Sequence, residues 1–254
     1  MAVTGWELFR KRFAGYERNY VVIGGFACEV LLRSANRGFR ATKDIDMIIL
    51  MEDDVSGFGR AFWSFIKEGG YKCGWRQSPD LHFYRFTEPK AGYPAQIELF
   101  SRKPNYHLAN NSDIIPIYID DEVSSLSAIV MNDDFYGLLQ EGRVIVDGIS
   151  TLNPAYLIPF KMYAWINLTE KKENGEHVNE KDLKKHKFDV FRLLQIIPDD
   201  ASVQLHGMCL DAVKGFFRLM ENEQLRLEQI GLDFSVEEGL ERLRELYGGS
   251  WDNQ

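Results

Sequence analysis

Two carboxylates spaced i and i+2, Asp44 and Asp46 in the run Lys43-Asp44-Ile45-Asp46-Met47-Ile48-Ile49-Leu50, are the residues of this sequence best placed to do chemistry. The apolar residues around them read as a strand. Strand side chains alternate faces, so the two acids share one face about 6.6 Å apart along the chain, while Ile45 and Met47 point into the sheet's packed side. Two acids on one face suit a hard divalent cation. Upstream, Gly24 and Gly25 close a short apolar strand, Tyr20 to Ile23, and open a helix. The first N–H groups of a helix lack intrahelical acceptors, and its positive dipole end attracts anions. Phosphate on the glycines and metal on the aspartates would meet in one cleft. Taken singly, a D-x-D is often a strand end reaching solvent and a glycine pair often a simple turn; their joint occurrence in one strand–helix–strand unit distinguishes this segment. A third acid, Glu98 in Gln96-Ile97-Glu98-Leu99-Phe100, stands alone in an apolar strand. Burying it without a partner is costly, so it implies a metal or a basic neighbour, with Arg85 and Arg40 as salt-bridge candidates.

The order Gly-Gly, helix, then Arg40-Ala41-Thr42-Lys43-Asp44-Ile45-Asp46 resembles the nucleotidyltransferase superfamily. Arg40 and Thr42, immediately before the acids, narrow the resemblance to the nucleotidyltransferase toxins of abortive-infection type toxin–antitoxin systems. A second block, Phe160-Lys161-Met162-Tyr163-Ala164-Trp165 and then Lys184-Lys185-His186-Lys187-Phe188-Asp189-Val190-Phe191, is similar to the lysine helix and K-x-x-D helix of that group. The stretch between Gly25 and Asp44 is longer than the group's pattern implies, so the helix or the loop after it is extended here. The resemblance implies an α/β, polymerase-beta-like mixed sheet with flanking helices over residues 1–150, followed by a helical C-terminal domain over 151–254 that completes the cleft. It implies a magnesium-dependent enzyme, with manganese as a substitute, that moves a nucleoside monophosphate from an NTP to a hydroxyl on RNA such as tRNA, on protein or on a small molecule, with release of pyrophosphate. Asp44, Asp46 and Glu98 would be the catalytic and metal-holding acids, Glu98 binding the second metal or accepting the hydroxyl's proton. Gly24, Gly25, Arg40, Thr42, Lys161, Lys187 and Asp189 would contact the nucleotide, with Asp189 orienting Lys161 or Lys187. An antitoxin protein is an implied partner. Two other readings stand beside it: a non-catalytic nucleotide-binding regulatory module, against which the retention of all three acids speaks, and a D-x-D glycosyltransferase, against which the helix-opening glycine pair speaks.

The elements that must position these residues are legible from periodicity. Thr4 and Glu7 form a capping-box pattern ahead of an amphipathic helix through Trp6, Phe9 and Phe13. The helix after the glycines runs from about Phe26 to Asn36 and stops at Gly38, which is suited to the left-handed C′ position. After the D-x-D strand, Asp53 or Asp54 can cap a helix through Phe58, Phe62, Phe65 and Ile66 that ends at Gly69-Gly70. Residues 82–86 and 96–100 read as an antiparallel strand pair, and strands at 114–119 and 143–146 would extend the sheet. Asn153-Pro154 supplies an N-cap with proline at N1. Helical spacing then covers 157–168, 181–197, 201–220 and 236–247, with the polar run 169–181 as a connector. In the 181–197 segment Phe188, Phe191 and Leu194 form the apolar stripe, which leaves Lys184, Lys187 and Asp189 off it and makes Lys185–Asp189 an ordinary i, i+4 pair. Lys161 has snorkelling to solvent as its plain alternative.

At 254 residues and 45% hydrophobic content the chain can bury a full core. No run approaches the length of a membrane span and the start lacks an apolar h-region, so the expected setting is the cytoplasm, away from membranes. Cys28, Cys73 and Cys209 lie too far apart in sequence, without a C-x-x-C, to suggest a zinc site or a disulfide framework. The net charge of −8 opposes general coating of nucleic acid. The local basic run Lys181 to Lys187, near Lys171 and Lys172, is an RNA-facing patch or, more plainly, the solvated face of a helix.

Overall fold

The computed structural model describes residues 5–50, 55–73, 84–102, 114–117 and 126–250 and divides into two compact units, 1–136 with 143–152 and 137–142 with 153–254. The first unit is a mixed α/β sheet with flanking helices. In chain order it contains α1 (Trp6–Arg12), β1 (Tyr20–Ile23), α2 (Gly24–Ser34), β2 (Asp44–Ile49), α3 (Ser56–Gly69), β3 (Lys72–Cys73), β4 (Arg85–Thr87), β5 (Gln96–Arg102), β6 (Ile114–Ile117) and β7 (Leu126–Met131). Helix α4 (Asp133–Gly142) and the strands β8 (Arg143–Val146) and β9 (Ile149–Leu152) follow. The sheet order is β1-β2-β5-β4-β3, with β7 also on β5 and β6 on β7. Strand β2 is antiparallel to β1 and parallel to β5. The first half of β5 pairs antiparallel with β4, and its last residues pair parallel with β7.

Register sorts the side chains of β2, β5 and β4 onto two faces. Ile45, Ile97 and Phe86 are aligned across the three strands and fully buried, as are Met47 and Leu99 in the next aligned pair of that parity. Tyr20 on β1 shares this face and meets Phe9 of α1, Phe13 just after that helix and Phe58 of α3, while Phe62 and Trp63 of α3 pack on Phe86. Burying so much aromatic surface on one side binds α1 and α3 to the sheet. The opposite parity carries two polar rows, Asp44–Gln96–Thr87 and Asp46–Glu98–Arg85, and every residue in them is partly exposed.

Several local expectations need correction. Thr4 lies outside the described residues, and α1 takes Gly5 as its N-cap. Helix α2 ends at Ser34, and Asn36 rather than Gly38 takes the left-handed conformation at φ 56. Arg37 N–H donates to Leu32 O and Asn36 N–H to Arg33 O, the two bonds of a Schellman ending, which an asparagine tolerates. The extended spacing after Gly25 is therefore in the loop 35–43. Asp53, Asp54, His82, Phe83 and residues 118–119 lie outside the described residues. Strand β8 does not extend the main sheet: it pairs with β9 as a separate hairpin, and the Thr151 hydroxyl donates to Val22 O of β1.

The second unit is helical: α5 (Pro154–Glu173), α6 (Glu180–Leu194), α7 (Gly207–Met220), a short 3₁₀ turn at Leu227–Ile230 and α8 (Val236–Tyr247). Asn153 caps α5 through its side chain, and Ser235 with Glu238 forms a capping box on α8. Pro159 inside α5 has no N–H to give the carbonyl of Ala155, and the Tyr247 hydroxyl supplies that bond at 2.6 Å. Helix α5 runs on to Glu173, so the polar connector shrinks to residues 174–179. Helix α7 begins six residues later than its spacing suggested, because Val203 N–H is bonded to Leu246 O instead of continuing a helix.

Candidate functional site

The first turn of α2 and the end of the following loop are pressed together. Gly24 has φ 69, and a Cβ placed on it would lie 2.0 Å from Asp46 Oδ2. A Cβ on Gly25 would lie 2.8 Å from Thr42 Oγ1 and 3.3 Å from Arg40 Nη2. A side chain on either glycine would have to displace Asp46 or Thr42, and Gly24 is further favoured by its left-handed backbone. The antiparallel register Ile23↔Asp46 explains why: the residue that ends β1 faces the second acid, so the chain turning into α2 passes over the Asp46 carboxylate. Ile23, the N-cap, has no side chain able to cap the helix, and its first turn carries no acid of its own. Asp46 is the acid brought to this positive helix end, where a negative group is favoured.

Glu98 is the register neighbour of Asp46 on β5, and Arg85 is the register neighbour of Glu98 on β4. Arg85 Nε donates to Glu98 Oε1, so of the two alternatives for the lone acid a basic neighbour holds it. Among the described residues no group of three His, Cys, Asp or Glu side chains is arranged to hold a metal ion by itself, so Asp44, Asp46 and Glu98 do not form a ready three-acid cage. Arg40, Thr42 and Asp46 are brought together with Gly24 and Gly25, Asp44 lies two residues before Asp46 on β2, and Glu98 joins Asp46 across the sheet. Arg40 also lies over the Phe39 ring, 4.8 Å from its centroid.

The second-block residues assemble within the helical unit. Lys161 does not snorkel: it is 2% exposed, its Nζ lies 3.3 Å from Asp189 Oδ2, and Arg192 Nη1 donates to Asp189 Oδ1 at 3.1 Å. Lys187 is also buried, 2.6 Å from Glu223 Oε2 and 5.4 Å from the Trp165 ring centroid. The stripe assigned to α6 was therefore too narrow. Its buried residues include Leu183, Lys187, Asp189, Val190, Phe191 and Leu194, because the helix is covered by α5 on one side and by the 3₁₀ turn and α8 on others. Phe188 is only half-buried. Lys185 pairs with Asp182 instead of Asp189. The remaining basic run is largely a solvated face: Lys171, Lys181 and Lys184 are exposed, and Lys172 pairs with Glu180. A cavity of about 420 Å³ adjoins Lys187, between Lys184, Phe188, Glu223, Arg226 and Gln229. Sequence reasoning reached its two lysines but not Glu223 or Arg226, which sit in an aperiodic segment.

No protein-family model and no curated protein matches the sequence. Among solved structures the chain is similar to the antibiotic-resistance factor ANT(2'')-Ia, at 11% identity and a TM-score of 0.39 over 84% of this chain and 91% of that one. It is also similar to the lincosamide antibiotic adenylyltransferase LnuA in its lincomycin-bound form, at 17% identity and a TM-score of 0.38 over 78% of this chain and 100% of that one. Scores of this size transfer neither a site nor a substrate.

Proposed function

We propose that the chain is a nucleotidyltransferase that binds an NTP over Gly24, Gly25, Asp44 and Asp46 and moves its nucleoside monophosphate to a hydroxyl. The observation that carries this is the approach of Asp46 to Gly24, with Thr42 and Arg40 against Gly25. The start of α2 attracts phosphate, whereas the Asp46 carboxylate lying against the same backbone repels it, and a cation between carboxylate and phosphate removes that conflict. Asp44 and Asp46 fit magnesium, which is commonly held by one or two carboxylates with phosphate oxygens and water completing its octahedron. Such an ion, when bound, offsets the charge of the phosphates and of the departing pyrophosphate.

The chain's own groups do the rest. Backbone N–H groups at the start of α2 orient the phosphates, and Arg40 and Thr42 add a cation and a hydroxyl beside Gly25. The acceptor oxygen forms a bond to the α-phosphorus as the bond from that phosphorus to the bridging oxygen breaks; pyrophosphate leaves, and the hydroxyl proton passes to water or a nearby base. The acceptor is identified by the product: RNA, protein and small alcohols give separable labelled species. Pairing of Lys172, Lys185 and Lys187 with acids weakens the case for an RNA-binding basic patch.

MgATP or MgGTP is expected to raise the melting temperature of the parent, and Asp44→Asn with Asp46→Asn to abolish that rise, because only a ligand bound to the native state adds linkage energy. Scanning fluorimetry measures it. An undiminished rise in the double variant removes the aspartates from the site. Nucleotide binding with no pyrophosphate release in the presence of RNA, protein and small-alcohol acceptors favours the non-catalytic module.

A further inference from the structure

We infer that Arg85 is a phosphate-holding residue of this site and that Glu98 is the positioning residue that aims it, in place of a third metal ligand; the inference rests on the nucleotidyl-transfer reading. Asp46, Glu98 and Arg85 lie side by side across β2, β5 and β4, on the polar face of the sheet. Cross-strand neighbours on one face interact directly. The bond between Arg85 Nε and Glu98 Oε1 engages the inner edge of a planar group that carries five N–H donors. Exposure decides which end of the pair a ligand meets: the Arg85 side chain is 37% exposed and that of Glu98 14%. An incoming anion reaches guanidinium before carboxylate.

Charge leads to the same assignment. Asp44 and Asp46 already supply the carboxylates that magnesium commonly takes from protein. A third ionised acid turned on that ion would add negative charge beside a polyphosphate, whereas the Arg85–Glu98 pair adds none. Two strand spacings, about 10 Å between backbones, separate Arg85 from Asp46, a span that a metal-bound triphosphate bridges. The guanidinium fork matches phosphate oxygens and is always charged, so it serves at neutral pH without a second metal. Glu98 then acts through Arg85: it fixes the plane of the fork and restrains it before ligand arrives.

The test separates metal from nucleotide. Mn2+ alone is titrated by its paramagnetic signal, and MgATP and MgGTP by calorimetry, in the parent and in Arg85→Gln, Arg85→Lys, Glu98→Gln and the Arg85→Gln/Glu98→Gln double variant. Arg85→Gln is expected to weaken nucleotide by about tenfold or more, the scale of one charge-assisted hydrogen bond, and Glu98→Gln by less. The double variant should be no weaker than Arg85→Gln, since residues acting as one unit are not additive. Affinity for Mn2+ alone should stay the same throughout. Weaker Mn2+ binding in a folded Glu98→Gln, or tighter binding in Arg85→Gln, would show a metal ligand freed from its competitor and overturn the inference. Joint loss of Mn2+ and of the thermal transition in Arg85→Gln marks misfolding, and Arg85→Lys then decides, with weakened nucleotide and unchanged Mn2+ as the supporting result and unchanged nucleotide as the contrary one. A parent that binds Mn2+ but no NTP removes the nucleotide reading itself, an outcome distinct from a parent that binds NTP while Glu98→Gln loses Mn2+.

Discussion

Gly24 holds a conformation and a volume that no other residue can share. Its φ is 69, and Asp46 Oδ2 occupies the place of its missing Cβ. Gly24→Ala therefore does two things at once, straining the backbone and displacing a carboxylate. Gly92 separates them, because it has φ 92 with nothing within 4 Å of a built Cβ. Each alanine variant is expected to lose about 1–2 kcal/mol for a left-handed non-glycine residue. Only Gly24→Ala should also lose the MgNTP-induced rise in melting temperature. Equal nucleotide responses in the two variants would show that Asp46 has no part in binding. Gly-Gly could be read as a helix opening from sequence, but the need for glycine could not, since it comes from a residue on another strand.

At the scale of elements, the sheet builds the site by register and the helical unit builds a charge network by burial. Strand alternation was enough to put Asp44 and Asp46 on one face. It could not pair Glu98, because Arg85 was only one of two candidates until β4 was seen antiparallel to β5. Lys161, Asp189 and Arg192 join α5 to α6, with Asp189 fully buried between two cations. Asp189→Asn is expected to destabilise by about 3–5 kcal/mol in urea unfolding, because it leaves buried positive charge uncompensated. Lys172→Ala, at the exposed pair with Glu180, should change stability far less. Similar losses in both would mean that the enclosed pair is no more than a surface contact in effect.

Across the molecule, buried phenols make stability fall at high pH. Burial raises Tyr20, Tyr71 and Tyr247 above their ordinary value of 10.0. Tyr71 donates to Pro94 O and Tyr247 to Ala155 O, so one lies in each unit's hydrogen-bonded frame along with the core residue Tyr20. Below that pH the folded and unfolded chains hold the same phenolic protons and the tyrosines make no pH-dependent difference. Above it the unfolded chain releases protons that the folded chain keeps, so unfolding becomes easier as pH rises. Melting temperature is expected to fall from about pH 10 upward, with the share of tyrosinate absorbance belonging to these three of the eleven tyrosines appearing only as the protein unfolds. Three phenols that ionise in the native state at their ordinary value would contradict their burial.

What the sequence determined by itself is local: the strand that ends at a glycine pair, the helix that follows, the two acids on one face and the cap at Asn153. Each follows from backbone periodicity and hydrogen bonding within a few residues. What only the tertiary structure decided is partnership: Arg85 on Glu98, Asp46 against Gly24, Asp189 between Lys161 and Arg192, and Tyr247 on the carbonyl orphaned by Pro159. Those depend on strand register and on which helix faces are covered, and an isolated segment carries the capacity for such contacts without carrying the neighbour that completes them.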